Sequence, residues 1–178
     1  MSKEDRRRKQ IFTIIISILI IILYARILSF SGTSAETSAM QSLSVSEYII
    51  SIIEKTFSIN LNLNESQFGQ FEKFVRKAAH FFEYALLGFL VYSLPLIWGK
   101  KTFKPALYSF LAVVVMASVD EFIQLFVPER AALISDVIID SIGCIAGMAL
   151  LRLVYCIVSG IKNNLVRRKE DKVFSQEP

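Results

Sequence analysis

The run IFTIIISILIIILY, from Ile11 to Tyr24, decides how the rest of the chain is read. It carries no charged residue, and the apolar character continues to Phe30 with Arg26 as the single interruption. About 20 apolar residues are enough to cross the hydrocarbon core of a bilayer as a helix. Basic residues before the run and small residues after it also suit a secretory signal peptide. The run is longer than the usual apolar region of such a peptide, about 7–15 residues. It therefore predicts an uncleaved transmembrane helix.

Composition says that this segment is not alone. The chain has 178 residues, 53% of them hydrophobic, and a mean hydropathy of +0.49. A soluble chain this short has no core large enough to hide so much apolar surface. Further spans are expected at His80 to Trp98, Pro105 to Val127 and Ser135 to Val158. Gly99 closes the second span and Pro128 the third, while Pro105 suits the first turn of a helix, where its missing N–H is not needed. The short Gly99–Lys104 connection makes spans two and three an antiparallel hairpin. The expected fold class is an all-α membrane protein of four transmembrane helices.

Charge placement orients them. Lys3, Arg6, Arg7, Arg8 and Lys9 precede the first span, and Lys100, Lys101 and Lys104 fill the hairpin loop. Lys162, Arg167, Arg168, Lys169 and Lys172 follow the last span. With four spans, all three clusters fall on one side, and the positive-inside rule makes that side cytoplasmic. The expected division is a basic cytoplasmic N-terminus (1–10), a membrane domain (11–158) containing an outer segment (31–79), and a basic cytoplasmic tail (159–178). The basic residues form no stripe on a recognition fold, so nucleic acid is not an expected partner. Cys144 and Cys156 lie inside the last span and read as small apolar residues, with no disulfide or metal spacing. No metal and no cofactor is assigned.

The outer segment is too long for a simple loop. Val45, Tyr48, Ile49, Ile52 and Ile53 recur at helical spacing between Ser44 and Phe57. Asn64 to Gln67 has the pattern of a capping box, followed by Phe68, Phe71, Phe74, Val75 and Ala78 on one side. This predicts an amphipathic outer helical segment that lies on the membrane and runs into span two, or an ordinary packed ectodomain helix. Ser31 to Ser42 reads as irregular.

The spans also hold residues that hydrocarbon rejects, at about 2.5–3.5 kcal/mol for an Asp or Lys at a helix centre. Span two carries Lys77, His80, Glu83 and Tyr84, with Arg76 beside them. Span three carries Asp120, Glu121 and Gln124, and span four Asp136 and Asp140. Arg26 lies near the outer end of span one and Arg130 in the outer turn. Residues three or four apart share a helix face, so each span presents one polar stripe, always in its outer half. Convergence of the stripes into a polar cavity open to the outside avoids leaving carboxylates in lipid. Gly143 and Gly147 continue the Asp136–Asp140 stripe as a small-residue packing face, and Gly88 suits the same role on span two.

These stripes resemble the signatures of the VanZ family. One is Arg76-Lys77-Ala-Ala-His80-Phe-Phe-Glu83-Tyr84 through Gly88. Another is Asp120-Glu121-Phe-Ile-Gln124 through Pro128-Glu129-Arg130, and the last is Asp136-Val-Ile-Ile-Asp140-Ser-Ile-Gly143 with Gly147. Ser29-Phe30-Ser31 is similar to the start of that family's outer loop, and the resemblance runs from about Ile11 to Gly147. Glu129 stands where the family usually has Gly, and Asp140 where Asn is more usual. The first change alters a turn that Gly would allow a positive φ. The second adds a negative charge to the cavity. The family is named for a protein associated with resistance to the glycopeptide teicoplanin in Gram-positive bacteria. The resemblance therefore implies a multi-pass protein of the bacterial cytoplasmic membrane with a cell-envelope role, but no defined reaction.

Several uses of the polar site follow. Arg76, Lys77, Arg130 and Arg26 suit an anionic lipid headgroup or lipid-linked envelope precursor, since Arg makes bidentate contacts with phosphate and carboxylate. The site residues on this reading are Arg76, Lys77, His80, Glu83, Tyr84, Asp120, Glu121, Gln124, Arg130, Asp136 and Asp140, and the partners are membrane lipids, an anionic precursor or a glycopeptide. Catalysis is the alternative, with His80 and Glu83 as acid and base, or with His80, Glu83, Asp120, Glu121 and Asp136 around a hard divalent cation. No nucleophile elbow or His-Glu-x-x-His helix supports it. A purely structural salt-bridge network is the third reading. Translocation of an ion or solute is the fourth, opposed by stripes that stop halfway through the bilayer.

Overall fold

A computed structural model describes residues 2–128 and 133–174 of the chain. Among them the elements are helices only: α1 (Lys3–Ser31), α2 (Ala35–Phe57), α3 (Glu65–Ile97), α4 (Phe103–Gln124) and α5 (Ile134–Phe174). Of these, 4 are long and apolar enough to span a membrane, namely all but α2. Along α1 nearly the whole apolar window is uncovered by protein. Ile14, Ile18, Ile21 and Ile22 are among its exposed residues. That lateral surface is suited to acyl chains and not to water.

Local chemistry sets the ends of the elements. Ser2 caps α1, its Oγ accepting from the Asp5 N–H at 3.0 Å. The capping box at α3 is complete: Asn64 Oδ1 accepts from Gln67 N–H at 2.9 Å, and Gln67 Oε1 accepts from Asn64 N–H at 3.0 Å. Gly99, at φ +74°, follows α3 in the left-handed region that favours glycine. α2 begins earlier than the sequence pattern indicates. Ser34 accepts from Thr37 N–H at 3.3 Å, so the Ser/Thr-rich stretch expected to be irregular is mostly helix. A capping hydroxyl explains the difference: Ser and Thr disfavour helix interiors but start helices well.

At a rise of about 1.5 Å per residue, α3 is about 50 Å long and exceeds the ~30 Å hydrocarbon core. Its first turns, from Glu65, run without a break into span two. α2 turns Val45, Tyr48 and Ile52 outward while Ser38 and Ser46 are buried. An apolar face turned away from the protein suits a helix lying in the membrane interface.

The bundle is tightest between α3 and α5. A Cβ on Gly143 would collide with the backbone of Phe81, and one on Gly147 with the backbone of Ala85. Gly88 lies against the backbone of Cys144 in the same way. The small-residue face predicted on span four is therefore the seam that brings α5 onto α3. Beneath it, Ile27, Tyr84, Leu87, Val113, Ala117 and Cys144 form the buried core. Tyr24 of α1 donates to the Met116 carbonyl of α4 at 3.0 Å.

Two contacts mark one end of the bundle. Trp98 Nε1 donates to Thr13 Oγ1 at 3.1 Å, and Lys101 lies 4.7 Å from the centre of the Tyr155 ring. The start of span one, the α3–α4 loop and the distal part of α5 therefore share that end. The three basic clusters adjoin these elements. The polar stripes lie at the other end.

Candidate functional site

At that other end, α3, α4 and α5 enclose a cavity of about 720 Å³, partly covered by α2 through Ala39. It collects residues from all three predicted stripes: Arg76, Lys77 and His80 from α3, Glu121 and Gln124 from α4, Asp136 and Asp140 from α5. Helical spacing accounts for each set, because residues three or four apart lie on one face.

The rim is populated by charges with access to water. Lys77 Nζ donates to Asp136 Oδ1 at 2.6 Å, with the two side chains 43% and 29% exposed. Ser135 Oγ also donates to Asp136, at 3.2 Å. Lys73 and Arg76 line the same wall and enter no ion pair among the described residues.

The floor is drier. Asp120, Glu121, Gln124 and Asp140 are all buried. Glu121 Oε2 accepts from the Leu133 N–H at 3.0 Å, so this carboxylate helps fix the entry into α5. His80, Asp120 and Asp140 present one ligating atom each, all within 4.8 Å of one another. Asp140 Oδ1 is fully buried without a hydrogen-bond partner among the described residues.

Not every predicted site residue lines the cavity. Tyr84 is wholly buried in the core, one turn from His80. Glu83 is half-buried on α3 and is absent from the cavity wall. Asp120 reaches the cluster from beneath. Arg26 is exposed and lies 5.3 Å from the centre of the Phe30 ring, a cation–π arrangement on α1 rather than a place in the wall. Arg130 and Glu129 fall outside the described residues.

Two charged cavity residues were missed by sequence reasoning, Glu72 and Lys73. The signal was present: Gly69, Glu72, Lys73, Arg76, Lys77 and His80 follow one face of a continuous helix. Treating the outer segment by its apolar face alone hid the polar face on its other side.

The family model described as VanZ/LLP1 matches residues 13–155, most of the chain. The chain belongs to the VanZ-like family. No curated protein and no solved structure matches it.

Proposed function

With a VanZ-like membrane protein as the premise, we propose that the cavity binds the anionic headgroup of a lipid or lipid-linked envelope precursor. On this reading the protein sits in a bacterial cytoplasmic membrane with both termini in the cytoplasm. The cavity then opens to the outer face. The basic clusters favour that orientation, because Lys and Arg accumulate on the cytoplasmic side of short loops.

One observation carries the ligand class: Lys73 and Arg76 line the cavity without an ion pair among the described residues. A structural salt-bridge network would be expected to commit its cations internally, as Lys77 is committed to Asp136. Cations on a concave wall with no ion pair among the described residues favour an anion, and Arg brings the fork geometry that matches phosphate. The neighbouring apolar flanks of α3 and α5 would accommodate acyl or prenyl chains beside such a headgroup.

The test uses the full chain in nanodiscs of phosphatidylcholine doped with phosphatidylglycerol. Lipids retained after exchange into detergent are measured by mass spectrometry. Enrichment of the anionic lipid over phosphatidylcholine is expected, and Lys73→Gln with Arg76→Gln should reduce it several-fold. Equal retention of both lipids by the parent protein would remove the headgroup reading. A soluble pyrophosphate competitor separates headgroup recognition from chain recognition, since only the former is displaced.

A further inference from the structure

Three helices each bring one candidate ligand to the cavity floor: His80 from α3, Asp120 from α4 and Asp140 from α5. Their ligating atoms lie within 4.8 Å of one another. Asp120 and Asp140 are 0% and 1% exposed. Buried carboxylates are costly unless hydrogen bonds or a cation compensate them. For Asp140 the compensation is incomplete, because its Oδ1 is buried with no hydrogen-bond partner among the described residues.

We propose that His80, Asp120 and Asp140 form a binding site for a divalent transition metal, Zn²⁺ being the best chemical fit. An imidazole nitrogen with two carboxylate oxygens is a donor set that Zn²⁺ accepts, whereas Mg²⁺ and Ca²⁺ favour oxygen alone. Bonds of about 2.0–2.2 Å in tetrahedral geometry place neighbouring ligands about 3.3–3.6 Å apart. The three atoms, within 4.8 Å of one another, would have to draw closer by about an ångström to reach that spacing. Three protein ligands leave a coordination position open. His80 and Asp140 both line the cavity, so an incoming group would reach the site from there.

The backbone supports such a site. Gly143 lies against Phe81 and Gly147 against Ala85, which holds the His80 and Asp140 turns in register. Asp136, one turn from Asp140, is engaged by Lys77 and so stays on the rim. The site requires only the floor residues, and it stands whether or not the cavity takes a lipid headgroup.

The experiment uses the full chain without a polyhistidine tag, since His80 is the single histidine and a tag would bind metal itself. Protein stripped with chelator is titrated with Zn²⁺ alone, and bound metal is counted by elemental analysis. About one equivalent per chain is expected. Asp140→Asn and His80→Gln should each weaken binding about tenfold or more, while Asp136→Asn should leave it close to the parent. Co²⁺ loaded into the parent protein should give visible d–d bands that Zn²⁺ abolishes. This readout decides the matter even if a floor variant does not fold. Absence of those bands, or a folded Asp140→Asn that binds Zn²⁺ like the parent, overturns the proposal.

Discussion

The rim and the floor of the cavity are one helical turn apart on α5, yet they handle charge in opposite ways. On the rim, Asp136 meets Lys77 in a pair that water reaches. On the floor, Asp140 is 1% exposed and one of its oxygens has no protein hydrogen-bond donor among the described residues. The rim resembles an ordinary surface ion pair, whose value is usually about 0–1 kcal/mol. The floor is an expensive arrangement that a fold keeps only when something compensates it. Position on one helix decides which regime a carboxylate enters, and residue type does not.

The change with the largest expected effect removes rim and floor together. Gly147→Val puts a branched side chain where even a Cβ collides with the Ala85 backbone. The α3–α5 seam must open, because backbone cannot yield as a flexible side chain does. The expected cost is about 3 kcal/mol or more, at the upper end of overpacking effects. It should appear as a large drop in thermal stability in detergent, with loss of both lipid retention and Zn²⁺ binding. Gly160→Val is the control, since nothing lies within 4 Å of a Cβ there. A Gly147→Val protein as stable as the parent would show that α3 and α5 are not held by this seam.

A smaller change should separate the two regions. Asn64 and Gln67 complete the capping box that starts α3, and the turns they stabilise carry Glu72, Lys73 and Arg76. Asn64→Ala should cost about 1 kcal/mol of local helix stability, seen as faster hydrogen exchange in the first turns of α3. Retention of anionic lipid should fall, while Zn²⁺ binding at His80 and Asp140, deeper in the bundle, should hold. A parallel loss of both would mean that rim and floor are one cooperative unit.

The same division explains what could be read from the sequence. The spans were legible because apolar runs of this length have few other homes. The stripes were legible because i, i+3 and i+4 spacing is a property of every helix. The Gly143–Gly147 face was legible for the same reason, and the structure sets it against Phe81 and Ala85. Which members of the stripes would meet was not legible. Spacing treats His80, Glu83 and Tyr84 as equals on one face. Packing sends Tyr84 to the core and His80 to the cavity, because helix rotation and crossing depend on the partner helices. Helix from Ala35 through Ser42 was hidden for a local reason: hydroxyl-rich composition suits both a loop and a capped helix start.

The smallest expected effect tests the rim itself. In a double-mutant cycle, Lys77→Met and Asp136→Asn are measured singly and together, with thermal unfolding as the readout. If Lys77–Asp136 is a water-accessible pair, its coupling should be about 0.5–1 kcal/mol. It should also shrink in high salt, which screens exposed charges more than buried ones. A coupling well above that range and insensitive to salt would place the pair in a desolvated setting. Asp136 would then belong with Asp140, and the boundary between rim and floor would move outward by one turn. Lys77 and Asp136 are each partly exposed, and solvent at both ends of an ion pair is the condition under which salt weakens it. The low-coupling outcome is therefore the one expected.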